Sequence, residues 1–142
     1  MKKTKGNILL IVIVFIAVAF LGLSALGHVF LVFNKSIDLE YKKTKAYYLA
    51  YSGLNAGQNI FVQVPTLNIS IKNPDLRKKR LYQNFSSGYN ISNNLDGMIS
   101  LIKTPDNSLY SLAMIDNKYR AIIYCKYTVE KEKIVFSNIQ KL

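Results

Sequence analysis

Asn7-Ile8-Leu9-Leu10-Ile11-Val12-Ile13-Val14-Phe15-Ile16-Ala17-Val18-Ala19-Phe20-Leu21-Gly22-Leu23-Ser24-Ala25-Leu26-Gly27-His28-Val29-Phe30-Leu31-Val32-Phe33 decides the reading of this chain. From Ile8 to Phe33 no side chain is charged, and an apolar run of that length crosses a bilayer. As a helix it is about 40 Å long. The hydrocarbon core is about 30 Å thick, so the helix spans with tilt or emerges by a turn on one side. The residues before it, Met1-Lys2-Lys3-Thr4-Lys5-Gly6, are short and basic. The positive-inside rule places them in the cytoplasm and the rest of the chain outside.

Within the run, Ala17, Ala19, Gly22, Ser24, Ala25 and Gly27 are small enough to admit another helix closely, although they form no GxxxG pair. His28 is the sole histidine; it reads as an interfacial helix residue, because no partner for metal or acid–base work accompanies it. A cleavable secretory signal is the rival reading, with Ala25-Leu26-Gly27 as the cut. A signal's apolar core is typically about 7–15 residues. This run has exceeded that by Leu23 and continues past the supposed cut through His28 to Phe33. An anchor is therefore expected.

Helical periodicity continues beyond Phe33. Ala46, Ala50, Gly53, Gly57, Ile60 and Val64 recur at spacings of three and four and make one stripe, with Lys42, Lys43, Lys45, Asn55 and Gln58 opposite. Each helical glycine costs roughly 1 kcal/mol relative to alanine, which close approach of another surface at Gly53 and Gly57 would offset. Ala50, Gly53, Gly57 and Ile60 are thus expected to pack on a sheet, and Pro65 marks the end of the helix. The organisation expected is a leader over residues 1–6, a transmembrane helix over 7–33 and an amphipathic continuation over 34–64.

Of the 142 residues, 109 follow Phe33, enough for one small domain. Asn73-Pro74-Asp75 reads as an N-cap, a proline at the first helical position and an early acid. A short helix from Pro74 to about Asn84 would hold Arg77-Lys78-Lys79-Arg80 toward solvent. Residues 65–97 otherwise read as loop, with Ser86 to Gly97 rich in Ser, Asn and Gly. From Met98 the period changes to two. Strands are expected over Met98–Thr104, Leu109–Ile115, Tyr119–Glu130 and Lys133–Gln140, separated by Pro105-Asp106-Asn107 and Asp116-Asn117-Lys118. Ala121, Ile123, Cys125, Tyr127 and Val129 fall on one face of the third of these. Connections this short force an antiparallel meander. The expected class is α+β: a helix laid across a small antiparallel sheet over residues 98–142, covering its one apolar face.

Little in the chain carries catalytic chemistry. The eight acids are scattered and none pairs with the histidine at a useful spacing; no metal-ligand spacing or phosphate-cradling glycine loop is present. No enzyme activity, metal or cofactor is expected. Cys125, the sole cysteine, cannot close an internal disulfide and reads as a buried strand residue. Glu130-Lys131-Glu132-Lys133 reads as a solvated hairpin turn. The net charge of +11 favours anionic surroundings. Arg77, Lys78, Lys79 and Arg80 are the residues for a contact with DNA or another polyanion, through displacement of phosphate counterions, with Tyr82 and Phe85 placed to stack on bases.

A basic leader ending in glycine, an apolar helix running into an amphipathic one and a C-terminal antiparallel sheet together resemble the type IV pilins and pseudopilins. The resemblance begins at Gly6-Asn7-Ile8-Leu9-Leu10. It continues at Ala46-Tyr47-Tyr48-Leu49-Ala50-Tyr51-Ser52-Gly53-Leu54-Asn55-Ala56, which is similar to the segment after the membrane helix in PilX-type minor pilins; together the two cover about the first 60 residues. It implies cleavage between Gly6 and Asn7 by a prepilin peptidase, N-methylation of Asn7, and residence in a bacterial cytoplasmic membrane. The implied partners are membrane lipid, sister pilin subunits and the assembly machinery. Where major pilins carry a glutamate near the mature N-terminus this chain has Ile11, a feature shared by PilX-type and tip subunits. The function so implied is a minor or initiating subunit of a pilus-like filament. The alternative from the residues alone is an unprocessed single-pass accessory protein with an extracytoplasmic binding domain.

Overall fold

The computed structural model describes residues 3–93, 97–130 and 133–142. In order they form helix α1 (Lys3–Asn59), helix α2 (Pro74–Gln83) and five strands: β1 (Tyr89–Asn93), β2 (Gly97–Thr104), β3 (Ser108–Ile115), β4 (Tyr119–Glu130) and β5 (Lys133–Lys141). The chain divides into two units, residues 1–40 and 41–142.

The first unit is helix over its described length. Its residues from Asn7 onward are exposed, including Ile8, Phe15, Phe20, Leu26 and Phe33. The most apolar window of α1 has a mean hydropathy of 3.1 and none of it is buried inside the protein. A helix greasy on every side and covered by nothing in its own chain needs an apolar medium or other helices around it. Met1 and Lys2 of the expected leader lie outside the described residues, and Lys3 to Gly6 belong to α1.

The second unit is a helix on a sheet, as the α+β expectation had it. The strands pair in sequence order, β1-β2-β3-β4-β5, all antiparallel. Ile115 faces Tyr119 and Thr104 faces Ser108, which leaves three residues in each connecting turn. Asn107, Asp116 and Asn117 take positive φ of 56°, 51° and 54° there, a conformation Asn and Asp adopt more readily than other side chains. The second half of α1 lays Ala46, Leu49, Ala50 and Leu54 against Ile99, Leu101, Leu109, Ala113, Ile115, Ala121, Ile123 and Cys125.

Four details differ from the sequence reading. The α-helix stops at Asn59, and a 3-10 turn over Phe61–Gln63 carries the chain to Val64. Pro65 pushes its predecessor out of helical geometry, and the final turn tightens to hold its carbonyls. Residues 89–93 form an edge strand inside the expected loop, because β2 offers them a full antiparallel ladder; residues 94–96 lie outside the described set.

The sheet is also buried on both faces rather than one. Leu81 and Phe85 pack with Ile102, Tyr110, Leu112 and Ile122 on the side away from α1, with Leu67, Ile69 and Tyr82 against them. A run such as Leu109–Ile115, apolar but for Ser111, supplies both faces at once. Finally, Val129 does not share the burial of Ala121, Ile123 and Cys125: it is 64% exposed. β3 begins opposite Lys126 and Tyr127 N–H donates to the Asn107 carbonyl at 2.9 Å, so past Tyr127 the ladder of β4 is with β5 alone among the described strands.

Candidate assembly surfaces

The structure offers three candidate surfaces. Among the described residues no group of three His, Cys, Asp or Glu could hold a metal ion.

The largest surface is the apolar half of α1. Ala17, Ala19, Gly22, Ser24, Ala25 and Gly27 are all exposed, and a Cβ built on Gly22 or Gly27 would meet nothing within 4 Å. At roughly 100° per residue these six positions do not form one stripe. They fall around the whole circumference of the helix. Any neighbour, from any side, meets a small residue somewhere along the run. Gly6 lies in α1 and Asn7 is exposed.

The second surface is internal and builds the domain. Ala50 is fully buried. A Cβ on Gly53 would lie 2.5 Å from both Ile99 Cγ2 and Ser111 Oγ, and one on Gly57 3.3 Å from Leu109 Cδ2. The backbone of α1 thus rests directly on β2 and β3. Ile60 is half-buried against the same core. Ser111 Oγ is buried there with no hydrogen-bond partner. Gly88 is a contact that the sequence reading missed: its Cβ would overlap Ser100 Oγ and stand 2.8 Å from the Leu101 carbonyl. Ser100 meanwhile donates to the Phe85 carbonyl at 2.6 Å. No local signal marks that glycine, which lies in a stretch rich in Ser, Asn and Gly.

The basic cluster is not the uniform solvated face expected. Asn73 caps α2 through its side chain, accepting from the N–H of Asp75 at 2.9 Å and of Leu76 at 3.4 Å. The helix so started turns Arg77 inward. Arg77 Nε donates to the Ile71 carbonyl at 2.7 Å and Nη1 to the Tyr110 hydroxyl at 3.3 Å. A cleft of about 210 Å³ beside it is lined by Asn68 to Lys72, Pro105 and Asp106. Lys79 and Arg80 are exposed and Lys78 is half-buried. Of the aromatic neighbours, Phe85 is buried, while Tyr82 has the Arg120 guanidinium 4.9 Å from its ring. Burial raises the Tyr82 hydroxyl above its ordinary range, with the Arg120 charge opposing. Phe85 is therefore largely withdrawn from stacking, while half-buried Tyr82 lines a surface cleft together with Asn90, Met114 and Arg120.

Two titratable groups report the packing. Burial pushes the Cys125 thiol up to about 12, only partly offset by a hydrogen bond with the Leu109 backbone; it is an inert core side chain. At the β2–β3 turn, burial raises Asp106, but other contributions prevail and hold it below the usual carboxylate range. These are hydrogen bonds from Thr104, Ser108 and its own backbone, and the Arg77 charge. Ser108 Oγ donates to it at 3.1 Å.

No family model, no curated protein and no solved structure matches this chain. What the coordinates establish is architectural: an apolar N-terminal helix whose second half packs on a small antiparallel sheet is a pilin-like arrangement.

Proposed function

We propose that this protein is a minor pilin or pseudopilin, a membrane-anchored subunit that enters or initiates a type IV pilus-like filament. The observation that carries the reading is that a single helical element, α1, holds both an uncovered apolar segment and the segment that packs on the sheet. The basic leader ending at Gly6 and the residue Ile11 support the same reading. In this scheme Gly6 and Asn7 flank the processing site. The subunit waits in the bilayer until the assembly machinery lifts it out, and the apolar helix then exchanges lipid tails for the helices of its neighbours. Lipid and helix surfaces are similarly apolar, so the exchange is nearly balanced and close packing decides it. Small residues around the whole helix suit a core in which each helix has several neighbours. The role is structural, not catalytic.

Processing tests this directly. Co-expressed with a prepilin peptidase, the chain should yield a product that begins at Asn7 and carries an N-methyl group, read by intact mass and N-terminal fragmentation. Gly6→Val should leave the leader in place while the protein still sediments with membranes. An intact leader on the unmodified chain would favour the single-pass accessory protein, and a start at His28 a secreted domain.

A further inference from the structure

One end of the sheet in the unit that begins at Tyr41 is cationic and set with tyrosines. The β3–β4 turn, Asp116-Asn117-Lys118, lies at this end. Two ammonium groups approach the Tyr119 ring beside it, Lys42 Nζ at 5.4 Å and Lys118 Nζ at 5.7 Å from its centre. Lys42 also pairs with Asp116 at 3.4 Å. On β4, Ile123 faces Lys141, four residues along the strand from Tyr119. Lys141 Nζ stands 5.4 Å from the centre of Tyr47, whose ring meets Tyr48 edge-on at 5.7 Å. Lys118 and Lys141 are exposed. Among the described residues of this unit, Asp116 is the acid at this end; Asp38 and Glu40 precede the unit in the chain. Contacts between cations and rings at the surface are worth about 0.5–1 kcal/mol, and the Tyr119 and Tyr47 rings are half-buried. These contacts position the Lys118 and Lys141 ammonium groups without neutralising them, while the Lys42 ammonium is paired with Asp116.

The chain limits how far Tyr41 can lie from Phe33. Tyr41 comes eight residues after Phe33. Eight residues reach about 28 Å at full extension and about 12 Å as helix. If Phe33 marks the edge of a bilayer, the start of the domain stays within that distance in any arrangement.

We propose that this end of the domain is a docking surface for the anionic headgroups of the bilayer that holds the chain's own apolar segment. The inference rests on the membrane-anchored part of the proposed function and adds a headgroup-bound state of the domain to it. Lysines attract anionic lipid within a Debye length, about 8–10 Å in ordinary salt. Tyrosine suits the boundary between headgroup and acyl chain. Each lysine near such a surface favours docking by about fivefold. Removing Lys118 and Lys141 together should weaken it about 25-fold. A docked domain resists extraction until the pull on its helix exceeds the attraction.

The test is hydrogen exchange on the full chain reconstituted in phosphatidylcholine vesicles, with and without about 30% phosphatidylglycerol, at about 20 and about 500 mM salt. Backbone amides of residues 116–120 should exchange at least about fivefold more slowly in the anionic vesicles at low salt, and high salt should abolish the difference. Lys118→Glu with Lys141→Glu should lose the protection. Lys118→Gln with Lys141→Gln, gentler on the fold, should reduce it. Lys72→Glu with Lys126→Glu makes the same charge change at the opposite end of the sheet and should retain it. Equal exchange in both vesicle types overturns the docking surface while the anchor stands, provided the chain floats with the vesicles. Protection that appears in neutral vesicles and grows with protein density indicates a second copy and overturns it too. A chain that does not float with neutral vesicles defeats the anchor, and this inference with it.

Discussion

Gly53 is the residue on which the helix–sheet contact turns. A methyl group there would overlap Ile99 Cγ2 and Ser111 Oγ, each 2.5 Å away. Gly53→Ala should therefore destabilise the domain by about 1–3 kcal/mol, read from urea unfolding in detergent micelles by near-ultraviolet circular dichroism of the tyrosines. Ser111→Ala removes a buried hydroxyl that lacks a partner and should be neutral or stabilising by up to about 1 kcal/mol. It also clears half of the overlap, so the double variant should be more stable than the sum of the two changes. Asp106 governs part of the acid limb. Its carboxyl titrates below the ordinary value, so its contribution is complete above the unfolded value, about pH 4, and is lost as pH falls through the folded value. Asp106→Asn should flatten the decline of the urea midpoint below about pH 4 and lower the midpoint at neutral pH. The two helical glycines were legible in the sequence because their spacing matches the apolar stripe. Gly88 and the inward turn of Arg77 were not, since each is set by residues distant in the chain: Ser100 and Leu101 for the glycine, Tyr110 for the arginine.

At the scale of elements, α2 rests on its cap. Asn73→Ala should cost about 1 kcal/mol, with faster amide exchange through the first turn of α2 and little change in β3 and β4. The residue types at a helix N-terminus state their roles locally, which is why Asn73-Pro74-Asp75 could be read directly. Strand β1 shows the opposite case. Tyr89-Asn90-Ile91-Ser92-Asn93 has two apolar residues among polar ones, a poor strand by composition. Only the ladder offered by β2 makes it one. The second buried face was present as a run from Leu109 to Ile115 that is apolar but for Ser111, but such a run does not say what covers it. The cover, Leu81 and Phe85, comes from a helix and turn that read locally as polar.

For the whole molecule, the filament reading makes the circumference of the apolar helix its working surface. Gly22→Leu adds bulk where a Cβ now meets nothing. Membrane retention after carbonate washing should be unchanged, because lipid adapts to an extra side chain. Incorporation into filaments should fall about tenfold or more, since overpacking at a close helix contact costs about 1–3 kcal/mol; undiminished incorporation would remove this helix from the filament core. By itself the sequence determined the membrane-compatible helix, its amphipathic continuation, the antiparallel meander and its turns. Each of these is written in charge, period or backbone preference within a few residues of where it acts. Tertiary structure alone decided that the sheet is buried on both sides, that an Asn-rich segment becomes its edge, that one arginine of a basic run is half-buried against Tyr110, and that Lys42, Lys118 and Lys141 each come to lie against a tyrosine ring. Those outcomes depend on which surfaces meet after the chain has folded back on itself, and no local pattern records such meetings.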